Sequence, residues 1–352
     1  MNILVIEGNV RLAEALSAAG CNTYFIDYRL DQGGRYGIDK DKVKYVPVNT
    51  LRKDSFFKRF RELKSILKEH DITHVITALR TDIFQVFLFK LLYNRKLKIV
   101  NTNHNSYAWI SKLRVFLYVQ LIRLTTDAYF SLANFVKTQV IKYGYNRNRV
   151  LSIANVVPPF PYKESFTIDK NSPRLLYVSR YITGKGHITL AKAIDIVRKK
   201  YPGIKMFVYG NTREEAYKKA FVDYVQEHGL EENIFIGGEL GNTEVLEMLR
   251  KMDIYISTST LEMNPIGLIE AGTAQMPIIA VNSSGIVDVV EDHVTGLLFA
   301  PDDAEECAKC IEEMIENDDL RKDLAKNAYN HTRLINSEEY QGKIMKDFLQ
   351  NL

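Results

Sequence analysis

Two glutamates with seven residues between them, Glu262 and Glu270, stand in the stretch STSTLEMNPIGLIEAGTAQMP (257–277). The Asn-Pro pair that starts at Asn264 predicts the beginning of a helix, because Asn caps helices and Pro needs no amide hydrogen in a first turn. Gly267 leaves the first-turn amides open, and such a helix start attracts an anion. Glu270 lies nearly two turns into the helix, too far to gain much from the dipole. We therefore expect its carboxylate to accept hydrogen bonds from neutral ligand hydroxyls.

A second loop, SRYITGKGH (179–187), carries two cations at the end of a predicted strand. Arg180 and Lys185 bracket a turn that contains Gly184 and Gly186. Fixed positive charge and backbone N–H groups beside a flexible turn suit a diphosphate, although the P-loop spacing is absent and a solvated turn is the alternative. Together the two loops describe a ligand with phosphate at the helix start and diols beside it, which is a nucleotide sugar.

Short apolar strands alternate with helices along the whole chain, which predicts parallel sheets covered on both faces. In the first half we predict strands at 2–7, 23–28, 74–79, 98–104, 128–133 and 150–157, with helices at 11–20, 54–70, 82–94, 111–126 and 134–144. In the second half we predict strands at 174–180, 204–210, 233–238, 253–259 and 277–282, with helices at 187–202, 214–228, 242–250, 265–275 and 304–316.

The prolines of PPFPY (158–162) and the polar stretch to Ser172 predict a linker between two domains, because stacked prolines extend neither a helix nor a ladder. We place the first domain at 1–160 and the second at 172–332. Both are α/β and Rossmann-like. Ligands of such sheets bind at the carboxyl ends of the strands, so we expect the ligand in a cleft between the domains.

The motifs together resemble those of glycosyltransferase family 4. The spacing E-x7-E is followed by a helix of small residues, Pro277, an apolar strand, SSG (283–285) and VTGLLF (294–299), and R-x4-K-G (180–186) lies about eighty residues upstream. The resemblance covers the C-terminal half closely and the N-terminal half loosely. It implies retaining enzymes of the GT-B fold, in which two tandem Rossmann-like domains face each other across a cleft. It also implies that a C-terminal helix, at about 336–352, packs back on the first domain.

The resemblance assigns roles to four residues that would act on the transferred group. Arg180 and Lys185 look like the pair that grips the donor diphosphate, and Glu262 resembles the glutamate that addresses the transferred sugar. His104, after the strand in IVNTNHN, matches a histidine that faces the donor sugar. A lone histidine after a strand is more often structural, and that interpretation remains the alternative.

The remaining predicted residues would bind the donor without taking part in the transfer. Glu270 looks like the acid that binds the ribose, and the base would meet the turn after the strand NIFIGG. Many family members have Phe-Gly where this chain has Asn264-Pro265, and two glycines in the first loop where this chain has one. The predicted donor-binding set is Glu270, Asn264, Ile266, Gly267, Gly238, Glu239, Leu240 and Gly8.

The resemblance implies transfer with retention of the α-linkage. Breaking the bond to the diphosphate leaves a developing dianion beside an oxocarbenium-like sugar. Arg180, Lys185 and the helix start would stabilise that leaving group in place of a divalent metal. Since no Asp-x-Asp stands in a suitable strand-end context, we expect no metal and no cofactor. Front-face attack is favoured over a pair of carboxylates flanking the anomeric carbon, because the family places Glu270 at the ribose.

Composition and charge limit the class of protein. The 352 residues, 46% hydrophobic and 26% charged, are typical of a globular chain of two domains. Three cysteines favour a reducing compartment over a disulfide framework. Cys307 and Cys310 form a C-x2-C that suits a redox or metal pair, but without a second pair we interpret them as part of an amphipathic helix. Without a secretory signal or a membrane-spanning apolar run, we expect a cytoplasmic protein.

The first half of the chain is basic. Residues 1–158 carry 25 Lys and Arg against 12 Asp and Glu, a balance of +13, whereas the rest carry 22 against 31. FFKRFRELKSILK, RKLKIV and SKLRVFLYVQLIRL, with Tyr107 and Trp109, mix cations with large apolar groups. This composition suits the inner face of an anionic membrane that carries a polyprenyl-linked or anionic acceptor. The alternative is that the apolar residues form core and the cations a solvated face. No fold with base-reading residues supports nucleic-acid binding.

We therefore expect a transferase that moves a hexose or N-acetylhexosamine from a UDP-linked donor to a glycan or lipid-linked acceptor in cell-surface polysaccharide synthesis. GDP-mannose is the alternative donor. Two other functions stay open. A nucleotide-sugar 2-epimerase on the same fold would need several acid or base groups around one sugar carbon, and only His104 and Glu262 are obvious. A non-catalytic GT-B partner subunit would not need the intact set of Arg180, Lys185, Glu262 and Glu270.

Overall fold

The computed structural model describes residues 1–7, 10–28, 37, 39–103, 111–159 and 165–352. The chain divides into two compact units, which are described separately. Unit 1 comprises Met1–Pro158 together with Ile335–Leu352, and unit 2 comprises Pro159–Leu334.

Unit 1 is built on a parallel sheet in the order β3-β2-β1-β4-β5-β6-β7 within the described residues. Its strands are β1 (Asn2–Ile6), β2 (Asn22–Ile26), β3 (Lys44–Tyr45), β4 (His74–Thr77), β5 (Lys98–Asn103), β6 (Ala128–Ser131) and β7 (Val150–Ser152). Its helices are α1 (Val10–Ala18), α2 (Phe56–Glu69), α3 (Arg80–Leu92), α4 (Lys112–Thr125), α5 (Asn134–Lys142) and α12 (Glu338–Gln350).

The central strands of this sheet are apolar along their length because helices cover both faces. Leu4, Ile6, Val75 and Ile99 are all fully buried in one core cluster. Right-handed crossovers place α2, α3, α4 and α5 on one face, since their connections all run in the same direction across the sheet, and α1 on the other.

The last helix, α12, packs on α1 within unit 1. Gly342 allows this close approach, because a Cβ there would lie 2.0 Å from the carbonyl oxygen of Ala15. Lys346 Nζ donates to the carbonyl oxygen of Ala19 at 2.7 Å, which satisfies a group at the end of α1. The C-terminal segment is therefore part of the first unit's helical layer.

Unit 2 repeats the architecture with a parallel sheet in the order β10-β9-β8-β11-β12-β13. Its strands are β8 (Arg174–Val178), β9 (Lys205–Tyr209), β10 (Ile234–Ile236), β11 (Ile254–Ser257), β12 (Ile278–Val281) and β13 (Leu297–Phe299). Its helices are α6 (His187–Val197), α7 (Glu215–Glu227), α8 (Asn242–Lys251), α9 (Ile266–Thr273), α10 (Ala304–Glu316) and α11 (Asp318–Ile335), the last of which ends at the unit boundary.

The prediction of two α/β Rossmann-like domains is confirmed, with differences at particular elements. Strand β7 covers Val150–Ser152 rather than 150–157. The N–H of Ile153 still donates to the carbonyl oxygen of Ser131 in β6 at 2.8 Å, but the N–H of Ala154 donates to Gln341 Oε1 at 3.0 Å instead of to a strand. Strands β3 and β13 were not predicted, because two or three residues are too few to show alternation. Helix α11 was also missed.

Candidate functional site

Two loops meet at the point where the strand order of the unit 2 sheet reverses. The chain runs from β8 outward to β10 and then places β11 on the other side of β8. In open parallel sheets this switch point forms a crevice at the carboxyl ends of neighbouring strands, and ligands bind there. The loop after β8 (179–186) and the loop after β11 (258–265) flank it. Both predicted motifs of unit 2 therefore converge on one place.

The loop after β8 takes a shape that requires glycine at two positions. Gly184 and Gly186 have φ values of 88° and 68°, in the left-handed region that residues with a Cβ rarely adopt. A Cβ on Gly186 would also lie 2.0 Å from the carbonyl oxygen of Thr258. The two glycines let the loop turn sharply and press against the loop after β11, with Lys185 between them.

Hydrogen bonds fasten the backbone on which Lys185 stands. Its carbonyl oxygen accepts from the hydroxyls of Tyr177 at 2.8 Å and Thr258 at 3.0 Å. The carbonyl oxygen of Gly184 accepts from the N–H of Thr260 at 2.9 Å. Because Tyr177 is itself buried, the core of unit 2 fixes the position of this loop. The sequence offered no signal for Tyr177, since it looks like any aromatic residue of a buried strand.

Lys185 and Glu262 form an ion pair across the two loops. Nζ of Lys185 donates to Oε1 of Glu262, and the two side chains are 12% and 24% exposed. They come from separate motifs 77 residues apart, which the strand order brings together. A charge-assisted contact of this kind, open to solvent on one side, is one in which the lysine can exchange a carboxylate for a phosphate oxygen.

The SSG motif holds the backbone of Glu262. The N–H of Glu262 donates to Ser284 Oγ at 2.9 Å, and its carbonyl oxygen accepts from the N–H of Gly285 at 2.9 Å. A Cβ on Gly285 would lie 1.7 Å from the carbonyl oxygen of Met263, so no other residue fits there. The SSG motif was identified as part of the family resemblance, but its role in holding the backbone of Glu262 was not predicted.

Arg180 lies just beyond the end of β8 and is exposed. Among the residues that the structure describes, its guanidinium forms no hydrogen bond and no ion pair. The charge of Arg180 is therefore not compensated by a carboxylate. The structure brings Lys185 and Glu262 into direct contact and places Arg180 on the same sheet edge.

Helix α9 begins one residue later than predicted. The N-cap is Pro265, with φ −70° and ψ 111°, and the first helical residue is Ile266. The prediction of Asn264 as the N-cap is therefore wrong, because Pro265 is itself extended and the chain turns into the helix only after it. Asn264 is buried beside the helix start.

The first turn of α9 keeps two amides available. The N–H groups of Ile266 and Gly267 have no acceptor among the described residues, as is usual for a helix start. Gly267 is required in the fold as well, because a Cβ there would lie 2.4 Å from Tyr255 Oη. Glu270 follows one turn later and is only 2% exposed. A carboxylate so deeply buried needs fixed polar partners.

The turn after β10 lies at the same carboxyl edge, two strands from β8. The N–H of Gly210 donates to the carbonyl oxygen of Gly238 at 2.9 Å, and Asn211 Nδ2 donates to Glu239 Oε1 at 3.0 Å. Leu240 completes the turn and is half-buried. The three residues predicted to meet the base therefore belong to the loops of this sheet edge. Within the part of the chain that the structure describes, no hydrogen bond joins them to the Lys185–Glu262 pair.

Two predicted site residues, Gly8 and His104, lie outside the described residues, as do Tyr107 and Trp109. Their roles stay predictions.

His187 was not predicted, yet it stands directly beside the candidate site as the first residue of α6. It is fully buried among Tyr177, Tyr181 and Phe221. Its N–H donates to Tyr217 Oη at 3.1 Å. Burial, and secondarily the charge of the nearby lysine, lower the pKa of His187 to about 3. The imidazole is therefore neutral at physiological pH and belongs to the core.

The C-x2-C pair is a structural feature of α10. Cys307 and Cys310 are both buried, and neither forms a disulfide. Burial raises the pKa of Cys307 well above its ordinary range and that of Cys310 to about 12. Both thiols are therefore protonated and packed, as the amphipathic helix pattern predicted.

In the described part of the chain, no helix combines the length and the apolar character needed to cross a membrane.

The chain is similar to known glycosyltransferases. Residues 161–331 match the family model described as glycosyl transferases group 1. An uncharacterized glycosyltransferase of Haemophilus influenzae is 25% identical over 342 residues, which cover 94% of this chain and 91% of the relative. The capsular polysaccharide biosynthesis glycosyltransferase CapH of Staphylococcus aureus is 26% identical over 226 residues, 63% of this chain and 62% of CapH.

A solved structure shows the same fold. Anabaena Alr3699/HepE, crystallised in complex with UDP and glucose, matches all of this chain over its own full length, with a TM-score of 0.79 and 18% identity. At this level of identity the likeness concerns the arrangement of strands and helices. It identifies the two Rossmann-like units as those of the GT-B fold.

Proposed function

This chain is a glycosyltransferase of the GT-B fold, and we propose that it transfers a hexose or an N-acetylhexosamine from a UDP-linked donor with retention of configuration. The acceptor is a glycan or a polyprenyl-linked lipid of a cell-surface polysaccharide. The reaction requires no metal and no cofactor. The enzyme acts in the cytoplasm, at the inner face of the membrane.

The observation that carries this proposal is the Lys185–Glu262 ion pair at the switch point of the unit 2 sheet. A rigid loop presents the lysine, and the start of α9 adds the free amides of Ile266 and Gly267. Arg180 contributes a second positive charge at the same edge. Backbone N–H groups and fixed cations that converge in this way form a site for a diphosphate. The UDP bound in the HepE structure is consistent with that ligand class.

Glu262 takes two roles in this proposal. In the free enzyme its carboxylate accepts from Lys185. When the donor binds, the diphosphate takes over the lysine, and the carboxylate becomes available to the hydroxyls of the transferred sugar. The exchange keeps the lysine charge compensated in both states, which avoids leaving a partly buried cation unpaired.

The chemistry then requires stabilisation of the leaving group. The bond between the anomeric carbon and the diphosphate oxygen breaks, and negative charge develops on UDP. Lys185, Arg180 and the amides at the start of α9 stabilise that charge because they are already in position. The acceptor hydroxyl attacks from the same face of the sugar, its oxygen forms the new bond to the anomeric carbon, and its proton passes to the departing phosphate oxygen.

The other residues of unit 2 bind the nucleotide. Glu270, deep in α9, accepts from the ribose hydroxyls, and the turn of Gly238, Glu239 and Leu240 meets the uracil. Asn264 shapes the sugar pocket at the start of the helix. These assignments are supported by the motif resemblance and by the position of each residue at or beside the carboxyl edge of the sheet.

The positive charge of Arg180 and Lys185 takes the place that a divalent cation fills in metal-dependent sugar transferases. For this reason we expect chelators to leave the rate unchanged. The basic unit 1 binds the acceptor, and the name of CapH supports a role in surface polysaccharide synthesis.

A donor panel tests the proposal. The protein is incubated with UDP-hexoses, UDP-N-acetylhexosamines and GDP-mannose, and melting temperature, UDP release and sugar products are measured with and without EDTA. We expect one UDP-sugar to raise the melting temperature by mass action, slow UDP release that survives EDTA, and an α-linked product by NMR. Lys185→Ala should abolish the release, whereas Lys200→Ala, which removes an exposed ion-paired lysine, should not. Epimerised sugar without transfer, or activity of Lys185→Ala equal to the wild type, would contradict the proposal.

A further inference from the structure

Helix α4 is apolar on its outer face as well as on its inner face. Its inner face, with Val115, Val119 and Ile122, is buried against the sheet. Its outer face carries large exposed side chains at a helical spacing that forms one stripe. These are Leu113, Phe116, Leu117, Leu121 and Leu124, with exposures from 41% to 70%. A helix that is apolar all round is normally covered on every side.

The other exposed residues of α4 are cations. Lys112, Arg114 and Arg123 lie among the apolar side chains, and α4 contains no acidic residue. In the neighbouring helix α3, Asp82 is buried and paired with Arg59, so it does not compensate the surface charge. Within the described residues none of these three cations forms an ion pair, so the outer face of α4 combines apolar bulk with uncompensated positive charge.

A groove between α3 and α4 adds a second observation. It has a volume of about 470 Å³ and is lined by Arg80, Arg114, Leu117, Tyr118 and Leu121. The guanidinium carbon of Arg80 lies 4.6 Å from the centre of the Tyr118 ring, which holds that side chain at the rim. Neither arginine forms an ion pair within the part of the chain that the structure describes. Two guanidinium groups that no carboxylate of the described residues engages, above an apolar floor, fit a phosphate with a hydrocarbon chain below it.

Helix α3 continues the same surface. Phe84, Leu91 and Leu92 are more than half exposed, and Tyr93 follows them at the helix end. Because α3 and α4 are neighbours on one face of the unit 1 sheet, the exposed residues of α3 extend the surface of α4 towards α2, where Phe84 packs against Phe56.

We propose that the outer surface of α3 and α4 docks unit 1 on an anionic phospholipid bilayer. The leucines and Phe116 enter the boundary between head groups and acyl chains, and the cations meet lipid phosphates. Helix α4, with 14 residues, is too short to span a bilayer and lies in its plane. A second copy of the chain is a poorer occupant, because a two-fold contact would bring Arg114 and Arg123 against cations of the other copy.

Membrane docking would bring the enzyme to a lipid-linked acceptor, and only this biological role of the surface rests on the proposed function. Binding to vesicles needs neither donor nor transfer. The two proposals can therefore fail separately: vesicle binding without UDP binding refutes the donor site alone, and UDP binding without vesicle binding refutes the docking surface alone.

The test is co-sedimentation of the full chain with vesicles of phosphatidylcholine, with and without phosphatidylglycerol. We expect binding only to the anionic vesicles, and weaker binding at high salt. Leu113→Gln with Leu124→Gln should lower the partition coefficient at least about tenfold, because two exposed leucines no longer enter the bilayer. Arg114→Gln should lower the partition coefficient about fivefold. Arg114→Lys keeps the positive charge and should lower it much less.

The control is Leu334→Gln, which removes a leucine of unit 2 with 60% exposure and should change nothing. Since all the substituted side chains are exposed, folding should be unaffected, and thermal melting of each variant checks this. Equal binding to neutral and anionic vesicles, or no loss in the double leucine variant, would overturn the proposal. A concentration-dependent dimer that the leucine variant abolishes, in a protein that ignores vesicles, would also overturn it.

Discussion

Two substitutions in the Lys185–Glu262 ion pair should change UDP affinity in opposite directions. In the free enzyme the lysine is engaged by Glu262, and in the proposed complex it is engaged by the diphosphate. Lys185→Ala removes the contact with the ligand. Glu262→Gln removes only the competitor, because glutamine has the same shape without the charge.

The structure bounds the size of both effects. A hydrogen bond between charged groups contributes about 1.5–3 kcal/mol net. The side chains of the pair are 12% and 24% exposed, so the competing ion pair is screened on one side and is worth about 0.2–1 kcal/mol. Lys185→Ala should therefore weaken UDP by about 1–2 kcal/mol, or about five- to thirtyfold. Glu262→Gln should tighten UDP by about 1.5- to fivefold.

Isothermal titration with UDP, and then with the UDP-sugar donor, separates the contributions. With UDP alone, Glu262→Gln should bind more tightly than the wild type. With the complete donor that advantage should vanish, because the substitution also removes a partner of the sugar hydroxyls, and turnover should fall. Lys200→Ala serves as the control, since its ion pair with Glu316 lies on the exposed surface of the same unit.

The reasoning is wrong if both variants weaken UDP to a similar extent. Glu262 would then hold the lysine in its binding position rather than compete for it. Weakening by Lys200→Ala of the same size would show that the titration reports general charge and not this site.

Three further predictions concern the frame of the site. Gly186→Ala should lower the free energy of unfolding by clearly more than the ~1–2 kcal/mol expected of Gly229→Ala. Both glycines have positive φ, but only at Gly186 would a Cβ lie 2.0 Å from a carbonyl oxygen. Urea denaturation of the two variants measures the difference, and equal losses would contradict the clash. Burial and the charge of Lys185 lower the pKa of His187 to about 3. The stability that the neutral imidazole contributes is therefore complete above the unfolded pKa of 6.5 and is lost as pH falls towards 3, by about 2 kcal/mol at pH 5. In urea titrations at several pH values, His187→Phe should reduce the dependence of the unfolding free energy on pH, and an unchanged dependence would assign the effect to another group. Burial raises the pKa of Cys307, so its labelling by a disulfide reagent should be far slower in the native than in the unfolded protein, and rapid native labelling would contradict a packed thiol.

Much of the architecture could be predicted because the central strands, such as β4 and β11, are buried on both faces. An uninterrupted apolar run such as that of β8, followed by a helix with apolar periodicity, has few other interpretations. The order of the strands could not be predicted in the same way. That order puts β8 beside β11 and so decides that Lys185 meets Glu262.

The site residues were predicted as separate motifs, and the structure supplied the contacts between them. The hydroxyl of Tyr177 and the backbone contacts of Ser284 and Gly285 hold the two loops in place. These are side-chain and main-chain hydrogen bonds between distant segments, which no local pattern reveals. The N-cap of α9 was placed one residue too early because the sequence favours Pro265 as a first helical residue, whereas in the structure Pro265 is extended and precedes the helix.

The most direct measurement is a crystal structure of the protein with UDP bound. The central claim predicts diphosphate oxygens within hydrogen-bond distance of Lys185 Nζ and of the N–H groups of Ile266 and Gly267, with Glu262 released from the lysine and the ribose on Glu270. UDP bound elsewhere in the molecule, with the Lys185–Glu262 pair intact, would contradict it.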